Sequence, residues 1–532
     1  MEKASQGKET QAGKVFLIGA GPGDPKLITV KGLEALKRAD VVVYDRLASP
    51  RLLQYARPEA EKIFVGKLPD KHMMKQEDIN RLLVDLGLQG KLVARLKGGD
   101  PSVFGRVGEE AELLAECGVP FEIVPGITSS IAVPAYAGIP VTHRDFTSSF
   151  SIVTGHEYPN KTYNKINWPN LAQASGTLIF LMGVANLENI CHELITGGKS
   201  PQTPVALIRW GTWMEQETLT GTLETIVEQV KKAEFRSPAV IIVGEVVRLR
   251  EKIAWFEKRP MFGRRVLVTR SRSQSSDLTD AIERLGGEAV ELPVIRIQPT
   301  SEPAASAAFN EALDRLPEYD WIVFTSANGV EHMLQRMRER KLDIRRMARA
   351  KIAAVGPKTE DTLAKYGLIT EVLPSQGEFR AEQLPEALAD FVKPGETVFL
   401  PRGNLADTEL PKRLREMGLK TVEAVAYENV PETCGGEEGL EMLLEGGVDT
   451  VTFTSSSTVV NLIELLKRQG IEEPAVLLNR LNIACIGPVT AKAAEDAGLR
   501  ITAVSERATI SSLVDTLLLP EMTVRLPRKG EK

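Results

Sequence analysis

Short runs of Val, Ile and Leu alternate with amphipathic stretches through almost the whole chain. Lys14-Val-Phe-Leu-Ile18, Val41-Val-Val-Tyr44, Leu92-Val-Ala94, Thr177-Leu-Ile-Phe-Leu181, Val266-Leu-Val-Thr269, Trp321-Ile-Val-Phe324 and Val451-Thr-Phe453 each read as a strand. Strands that take turns with helices predict an α/β fold on largely parallel sheets. The pattern breaks at Phe256-Glu-Lys-Arg-Pro-Met-Phe-Gly263, where Pro and Gly in a short charged stretch are linker punctuation. Before it, Ile241 to Val247 reads as a closing strand and Leu249 to Phe256 as a terminal helix. After it, Arg265 to Arg270 starts a fresh strand.

The second half repeats itself. Phe324-Thr-Ser-Ala-Asn-Gly-Val330 returns as Phe453-Thr-Ser-Ser-Ser-Thr-Val459, and Val355-Gly-Pro-Lys-Thr359 as Ile486-Gly-Pro-Val-Thr490. Val266-Leu-Val-Thr-Arg270 returns as Val398-Phe-Leu-Pro-Arg402, so three elements recur in order at an offset of about 130 residues. Two similar α/β domains are therefore expected after Gly263, with Leu292 to Ile297 and Val422 to Tyr427 as extended links between them.

A chain of 532 residues is too long for one ordinary domain. A net charge of -5 gives no basic footprint for nucleic acid, and 5% aromatic content gives few base-stacking platforms. The longest apolar stretch, Ala239 to Val247, is too short to span a bilayer and carries Glu245. Met1 to Gln11 is polar and lacks the apolar core of a signal peptide, so residues 1–12 are expected to be a disordered tail. Cys117, Cys191, Cys434 and Cys485 are scattered, and the five histidines show no ligand spacing. Neither a zinc site nor a disulfide framework is expected, and the expected setting is the cytoplasm.

The densest chemistry lies in the first half. Leu92-Val-Ala-Arg-Leu96 runs into Gly98-Gly99-Asp100-Pro101, a tight turn, and Glu109 to Cys117 then reads as a helix. Adjacent glycines at the carboxyl end of a buried strand let a ligand approach bare backbone. Asp100, Arg106 and Glu109 crowd charge into the same place. The earlier loop Gly19-Ala-Gly-Pro-Gly-Asp-Pro25 fits a nucleotide-binding turn, and Asp45 stands where a dehydrogenase binds a ribose hydroxyl. Yet Asp24 takes the place of the third glycine of Gly-x-Gly-x-x-Gly, which weakens a nicotinamide reading. Read alone, Asp45 fits helix capping, Lys67 a solvated charge and Met182 core packing equally well.

Taken in order, Asp45-Arg-Leu47, Phe64-Val-Gly-Lys67, Gly98-Gly-Asp100, Val124-Pro-Gly-Ile-Thr-Ser129, Gly138-Ile-Pro-Val-Thr-His-Arg-Asp145, Val153-Thr-Gly-His156 and Ser237 to Val247 resemble uroporphyrinogen-III C-methyltransferase. The resemblance covers about residues 14–256. It implies two α/β subdomains around a cleft, S-adenosylmethionine as methyl donor, no metal, and a homodimer. It implies Asp45 as proton acceptor and Lys67 as proton donor. Pro22, Gly98, Gly99, Asp100, Val103, Thr128, Ser129, Met182 and Gly211 would cradle the donor, with Arg106 and Glu109 on the substrate side. Ala48 and Ser129 stand where this family often has valine and alanine. Porphyrinogen carbons are good nucleophiles and a sulfonium methyl a strong electrophile, so alignment and proton handling suffice. Arg106, Arg144 and Arg209 are candidate clamps for substrate carboxylates, although surface roles suit Arg144 and Arg209 equally.

After Gly263 the chemistry is quieter. Small hydroxyl and glycine residues recur at strand ends: Thr325-Ser326, Gly356-Pro357, Thr359, Gly403, Thr454-Ser455-Ser456 and Gly487-Pro488-Val489-Thr490. Each can present hydroxyl and N–H groups to an anion at a helix start, or simply cap the helix. The Phe-Thr-Ser-x-Asn-Gly-Val block, the two Gly-Pro-x-Thr blocks and Pro401-Arg-Gly403 resemble uroporphyrinogen-III synthase over about residues 263–520. That family closes linear hydroxymethylbilane with loss of water and inversion of the last ring. The resemblance implies that residues 264–297 join 430–522 as one domain and 298–425 form the other. Thr325, Ser326, Thr359, Thr454, Ser455 and Thr490 would contact substrate. Tyr427 would be an acid for the leaving hydroxyl, or an aromatic packed at the links.

The expected organisation is a tail (1–12), a methyltransferase (13–257), a linker (258–263), a synthase (264–522) and a second tail (523–532). The expected function is bifunctional: the second half makes uroporphyrinogen III and the first methylates it twice to precorrin-2, toward sirohaem or cobalamin. The competing readings are a nicotinamide-dependent dehydrogenase on Gly19 to Asp45, and a second half that binds tetrapyrrole without turning it over.

Overall fold

In the computed structural model, the described residues are 13–66, 74–155, 166–374, 383–406, 408–432 and 436–522, with backbone alone for 272–276. Lys67, His156, Cys434 and both expected tails lie outside them. The chain divides into two compact units, Met1–Arg264 with Arg284–Glu288, and Arg265–Glu283 with Ala289–Lys532.

The first unit contains two five-stranded sheets. Strands β1 (Lys14–Gly19), β2 (Val41–Tyr44), β3 (Glu61–Phe64), β4 (Leu92–Lys97) and β5 (Phe121–Val124) assemble in the order β3-β2-β4-β1-β5. Every pairing in this sheet is parallel. The inner strands β1, β2 and β4 place apolar residues on both faces because helices cover both. Val15, Leu17, Val43 and Val93 pack on one side; Ile18, Val42, Ala94 and Leu96 pack on the other.

The second sheet orders β6 (Phe150–Thr154), β7 (Thr177–Leu181), β8 (Pro204–Arg209), β9 (Glu217–Thr222) and β10 (Ala239–Val243) as β6-β7-β10-β8-β9. Here the expectation of largely parallel sheets fails. Only β6 and β7 are parallel; β7–β10, β10–β8 and β8–β9 are antiparallel. Doubly buried strands read as the same continuous apolar runs in either direction, so periodicity cannot tell them apart. The expected closing strand stops at Val243, before Gly244 at φ 147. The expected terminal helix is shorter, a 3-10 turn over Glu245–Leu249 followed by a helical turn over Arg250–Ile253.

The second unit also contains two sheets, and the chain leaves the first of them to build the other before returning. β11 (Arg265–Val268) and β12 (Glu288–Glu291) open one sheet. β13 (Ile295–Pro299), β14 (Trp321–Phe324), β15 (Lys351–Ala354), β16 (Thr397–Gly403) and β17 (Lys420–Pro431) then form the other, in the order β13-β17-β16-β14-β15. β18 (Thr450–Phe453), β19 (Asn482–Cys485) and β20 (Ala503–Val504) complete the first, as β12-β11-β18-β19-β20. Of the segments expected as links, Ile295 to Ile297 and Val422 to Tyr427 are extended, but as parts of longer strands of one sheet: Val422 to Val425 pair with β16, and Ile295 to Ile297 pair with Asn429 to Pro431, beyond the second expected link. β13 runs antiparallel to β17, with Ile295 opposite Pro431 and Pro299 opposite Tyr427.

Candidate functional site

In the first unit, loops leaving the carboxyl ends of β1, β2, β4 and β5 carry most of the candidate residues, the end at which open parallel sheets bind ligands. The two glycine loops pair with each other. Gly21 N–H donates to the Gly99 carbonyl at 3.2 Å and Gly99 N–H returns a bond to Gly21 at 2.7 Å. A Cβ on Gly19 would lie 2.5 Å from Gly126 Cα and 2.8 Å from the Gly99 oxygen. Only bare backbone permits three segments to meet there. Asp100 fastens them: Oδ1 accepts from Ser102 N–H at 2.7 Å and Oδ2 from Gly126 N–H at 2.9 Å. Thr128 caps the helix Ser129–Tyr136 by accepting from Ser130 N–H. Val103 and Ser129 are half-buried beside these loops.

The opposite rim comes from the second sheet. Trp213 Nε1 donates to the Pro22 carbonyl at 3.1 Å, and Asp24 N–H donates to Thr212 Oγ1 at 3.0 Å. Tyr136 donates its hydroxyl to Asp24 at 2.9 Å, and burial together with that carboxylate pushes the phenol above its ordinary range. Gly211 is buried against Val133. Met182 is 57% exposed, which removes the core-packing reading. Its φ is 57°, and Phe104, Arg106, Trp210 and Thr212 share that left-handed region at 54°, 58°, 45° and 73°. Each such non-glycine residue costs roughly 1–3 kcal/mol, and such strain gathers at functional sites.

Charge collects beneath the β2 and β4 ends. Asp45 Oδ1 accepts from Leu47 N–H at 3.1 Å, a local turn rather than a helix cap, and Arg95 approaches its Oδ2 at 3.4 Å. Arg106 grips Glu109 through two bonds of 2.8 and 2.6 Å, holding that carboxyl below its ordinary range. Arg144 is exposed, and Arg209 lies 3.7 Å from Glu217 across β8–β9. Lys67 lies outside the described residues. The residues that sequence reasoning missed are Arg95, Lys97, Glu110, Trp210 and Trp213. Arg95 and Lys97 did carry a signal: two cations at alternate positions of an otherwise apolar strand share one face.

The glycine loop does not open directly into a helix. A 3-10 turn over Pro25–Leu27 intervenes, and the helix Val30–Arg38 begins only after its cap Thr29. A dinucleotide site needs the helix N-terminus at the loop, so this geometry disfavours the nicotinamide reading.

In the second unit the hydroxyl residues stand at strand-to-helix junctions. Ser326 accepts from Gly329 N–H at 3.1 Å as cap of Ala327–Glu339, and its Oγ lies 3.0 Å from the Tyr427 hydroxyl. Tyr427 is buried, stacks on His332 at 5.6 Å, and lies where a Cβ on Gly403 would come within 2.8 Å of its ring. Burial holds the His332 imidazole below its ordinary range. Ser326, Tyr427, His332 and Gly403 thus come together. Ser455 forms a capping box with Thr458 at the end of β18. Thr359 and Thr490 are buried in the first turns of their helices, and Thr325 and Thr454 are half-buried at the ends of β14 and β18. Among the described residues no cluster of three or more His, Cys, Asp or Glu could hold a metal, and no helix is long and apolar enough to cross a membrane.

Comparison with known proteins gives two family matches. The tetrapyrrole (corrin/porphyrin) methylases match residues 14–227, and uroporphyrinogen-III synthase HemD matches residues 276–515. The porphyrin biosynthesis protein HemD of Ruminiclostridium josui is 39% identical over 95% of this chain and 98% of its own length. A uroporphyrinogen-III C-methyltransferase of Bacillus subtilis is 45% identical over 68% of this chain and 74% of its own. The structure of uroporphyrin-III C-methyl transferase from Thermus thermophilus complexed with S-adenyl homocysteine is 41% identical, covering 44% of this chain and all of that one, with a TM-score of 0.39.

Proposed function

Because the chain belongs to the tetrapyrrole methylases over its first half and to the uroporphyrinogen-III synthases over its second, we propose that it is a bifunctional enzyme of tetrapyrrole synthesis. The second half cyclises hydroxymethylbilane to uroporphyrinogen III. The first half transfers two methyl groups to that product, giving precorrin-2 for sirohaem or cobalamin. Residues 13–257 and 264–522 are assigned to the two activities.

The observation that carries the first assignment is the meeting of Gly19, Gly99 and Gly126 as bare backbone at the carboxyl end of the parallel sheet, with Phe104, Arg106, Met182, Trp210 and Thr212 held in left-handed backbone around it. This fits S-adenosylmethionine, which supplies an electrophilic methyl when bound. Pro22, Gly98-Gly99-Asp100, Val103, Thr128-Ser129, Met182 and Gly211 would hold it. Asp45, fixed by Leu47 N–H and Arg95, takes the proton that the methylated, cationic ring gives up from its N–H or its adjoining meso carbon, since the methylated carbon itself carries none. Lys67 returns a proton. The Arg106–Glu109 pair faces the tetrapyrrole, where the guanidinium can meet a carboxylate of the substrate. In the second half, Tyr427 gives a proton to the departing hydroxyl with Ser326 as its hydrogen-bond partner. The other strand-end hydroxyls bind carboxylates. We assign the chain to the cytoplasm and to a homodimer joined through the methyltransferase half.

Incubation with hydroxymethylbilane and methyl-labelled S-adenosylmethionine tests the whole reading. Doubly labelled precorrin-2 is expected. Closure to the non-inverted isomer alone would leave the second half a binding module, and saturable binding of NAD in place of the methyl donor would restore the dehydrogenase reading.

A further inference from the structure

Behind Asp45 lies a buried charge cluster that the methyl-transfer assignments leave unused. Arg95 and Lys97 point to one face of β4, and Glu110 reaches them from the first turn of the helix Val107–Glu116. Glu110 is fully buried. Its Oε1 accepts from Lys97 Nζ at 2.6 Å, Gln76 Nε2 at 3.1 Å and Arg95 Nε at 3.4 Å. The Arg95 guanidinium spends its three nitrogens separately: Nε on Glu110, Nη1 on the Leu96 carbonyl at 3.0 Å, and Nη2 on Asp45 at 3.4 Å. Of the four charged side chains, Asp45 alone opens to solvent, at 27% exposure against 4%, 6% and 0% for Arg95, Lys97 and Glu110.

Stability does not account for this arrangement. Buried ion pairs are commonly no more stabilising than apolar residues of the same volume, because desolvation offsets attraction. Among the described residues Glu110 Oε2 has no hydrogen-bond partner, although it is buried. The cluster nevertheless does something an apolar core could not: it delivers a planar, fixed cation to the inner oxygen of Asp45.

Building on the assignment of Asp45 as proton acceptor, we propose that Arg95, anchored by Glu110, is a positioning residue that fixes the Asp45 carboxylate for proton removal. Leu47 N–H holds one carboxylate oxygen and Arg95 the other, so the group is held in one rotamer. Glu110 sets where Arg95 stands, and thereby couples the helix that bears Glu109 and follows Arg106 to the base.

The test is Arg95→Met in the full-length chain, which leaves Lys97 and Glu110 as a balanced pair. Turnover of methyl transfer to uroporphyrinogen III should fall about 100-fold, as expected for a misplaced catalytic group. Donor affinity by calorimetry and KM for the tetrapyrrole should stay within about twofold, because only the transition state is affected. In an Asp45→Asn background, where residual transfer is read with labelled donor, the same change should cost less than about twofold. If Arg95→Met lacks a cooperative melt, Arg95→Lys keeps the charge without the fork and should lose about tenfold in turnover. Equal losses in both backgrounds, or weakened binding with turnover kept, would overturn the proposal. Wild-type turnover by Arg95→Lys would do the same. Full activity of Asp45→Asn by itself would instead overturn the Asp45 assignment, and the present proposal with it.

Discussion

Asp100 and Arg106 stand a few residues apart yet answer to different forces. Asp100 spends both oxygens on backbone N–H groups of the β4 and β5 loops. Its replacement by alanine removes two charge-assisted bonds, each worth about 1.5–3 kcal/mol. Donor affinity should therefore weaken by about tenfold or more, read by isothermal titration. Arg106→Ala frees an exposed Glu109 and should leave donor affinity near wild type while impairing tetrapyrrole turnover; titration giving the reverse order would undo that division of labour. Tyr427→Phe keeps the ring that packs under Gly403 and loses the bond to Ser326. It should cost about 0.5–1.5 kcal/mol in stability, and a larger part of the cyclisation rate. Asp45, Asp100 and Arg106 were legible in sequence because they sit in loops, where a charge beside glycines has few structural duties. Arg95, Lys97 and Glu110 were not singled out, because burial of a charge depends on which helix crosses which strand. Trp210 and Trp213 were missed for a similar reason: an indole that closes a rim reads as core until the opposite loop is seen.

At the scale of elements, the α/β alternation was plain in the apolar runs, and so was the repeat in the second half. Strand direction in the second sheet was not, because β7, β8 and β10 are covered on both faces and alternate nothing. Two element-level consequences can be measured. Gly19→Ala drives a methyl into Gly126 and Gly99, so the β1, β4 and β5 loops must part. Overpacking of this kind costs about 1–3 kcal/mol, and donor binding should suffer more than the melting temperature. The second consequence concerns β17. Glu428 accepts from Ser301 N–H and from the Ser301 and Thr300 hydroxyls, which hold its carboxyl down to about 2 against an ordinary 4.5. A folded-state value below the unfolded one contributes stability that is fully present above the unfolded value and is lost as pH falls toward the folded one. The melting temperature of the second unit should therefore drop between about pH 5 and pH 2.5, and Glu428→Gln should flatten that stretch of the curve. An unchanged acid limb in the variant would assign the loss to other carboxylates.

Across the whole molecule, two compact units on one chain imply that each site can be broken alone. Asp45→Asn should still release uroporphyrinogen III from hydroxymethylbilane at a rate within about twofold of wild type, since independent sites act additively. Tyr427→Phe should still methylate supplied uroporphyrinogen III. The returning topology of the second unit reaches further, into how the chain is made. The Arg265 N–H that starts β11 donates to Asp449, 184 residues later. At about 5–20 residues per second, a ribosome needs about 10–40 s to cover that distance. Throughout that interval the apolar β11 waits without β18, while the whole β13–β17 sheet emerges and can close on itself. The sheet that is begun first is thus finished last. Its unpaired edge is the stretch of nascent chain most in need of shelter, and the intervening lobe is a guest that must settle before its host can close around the remaining strands.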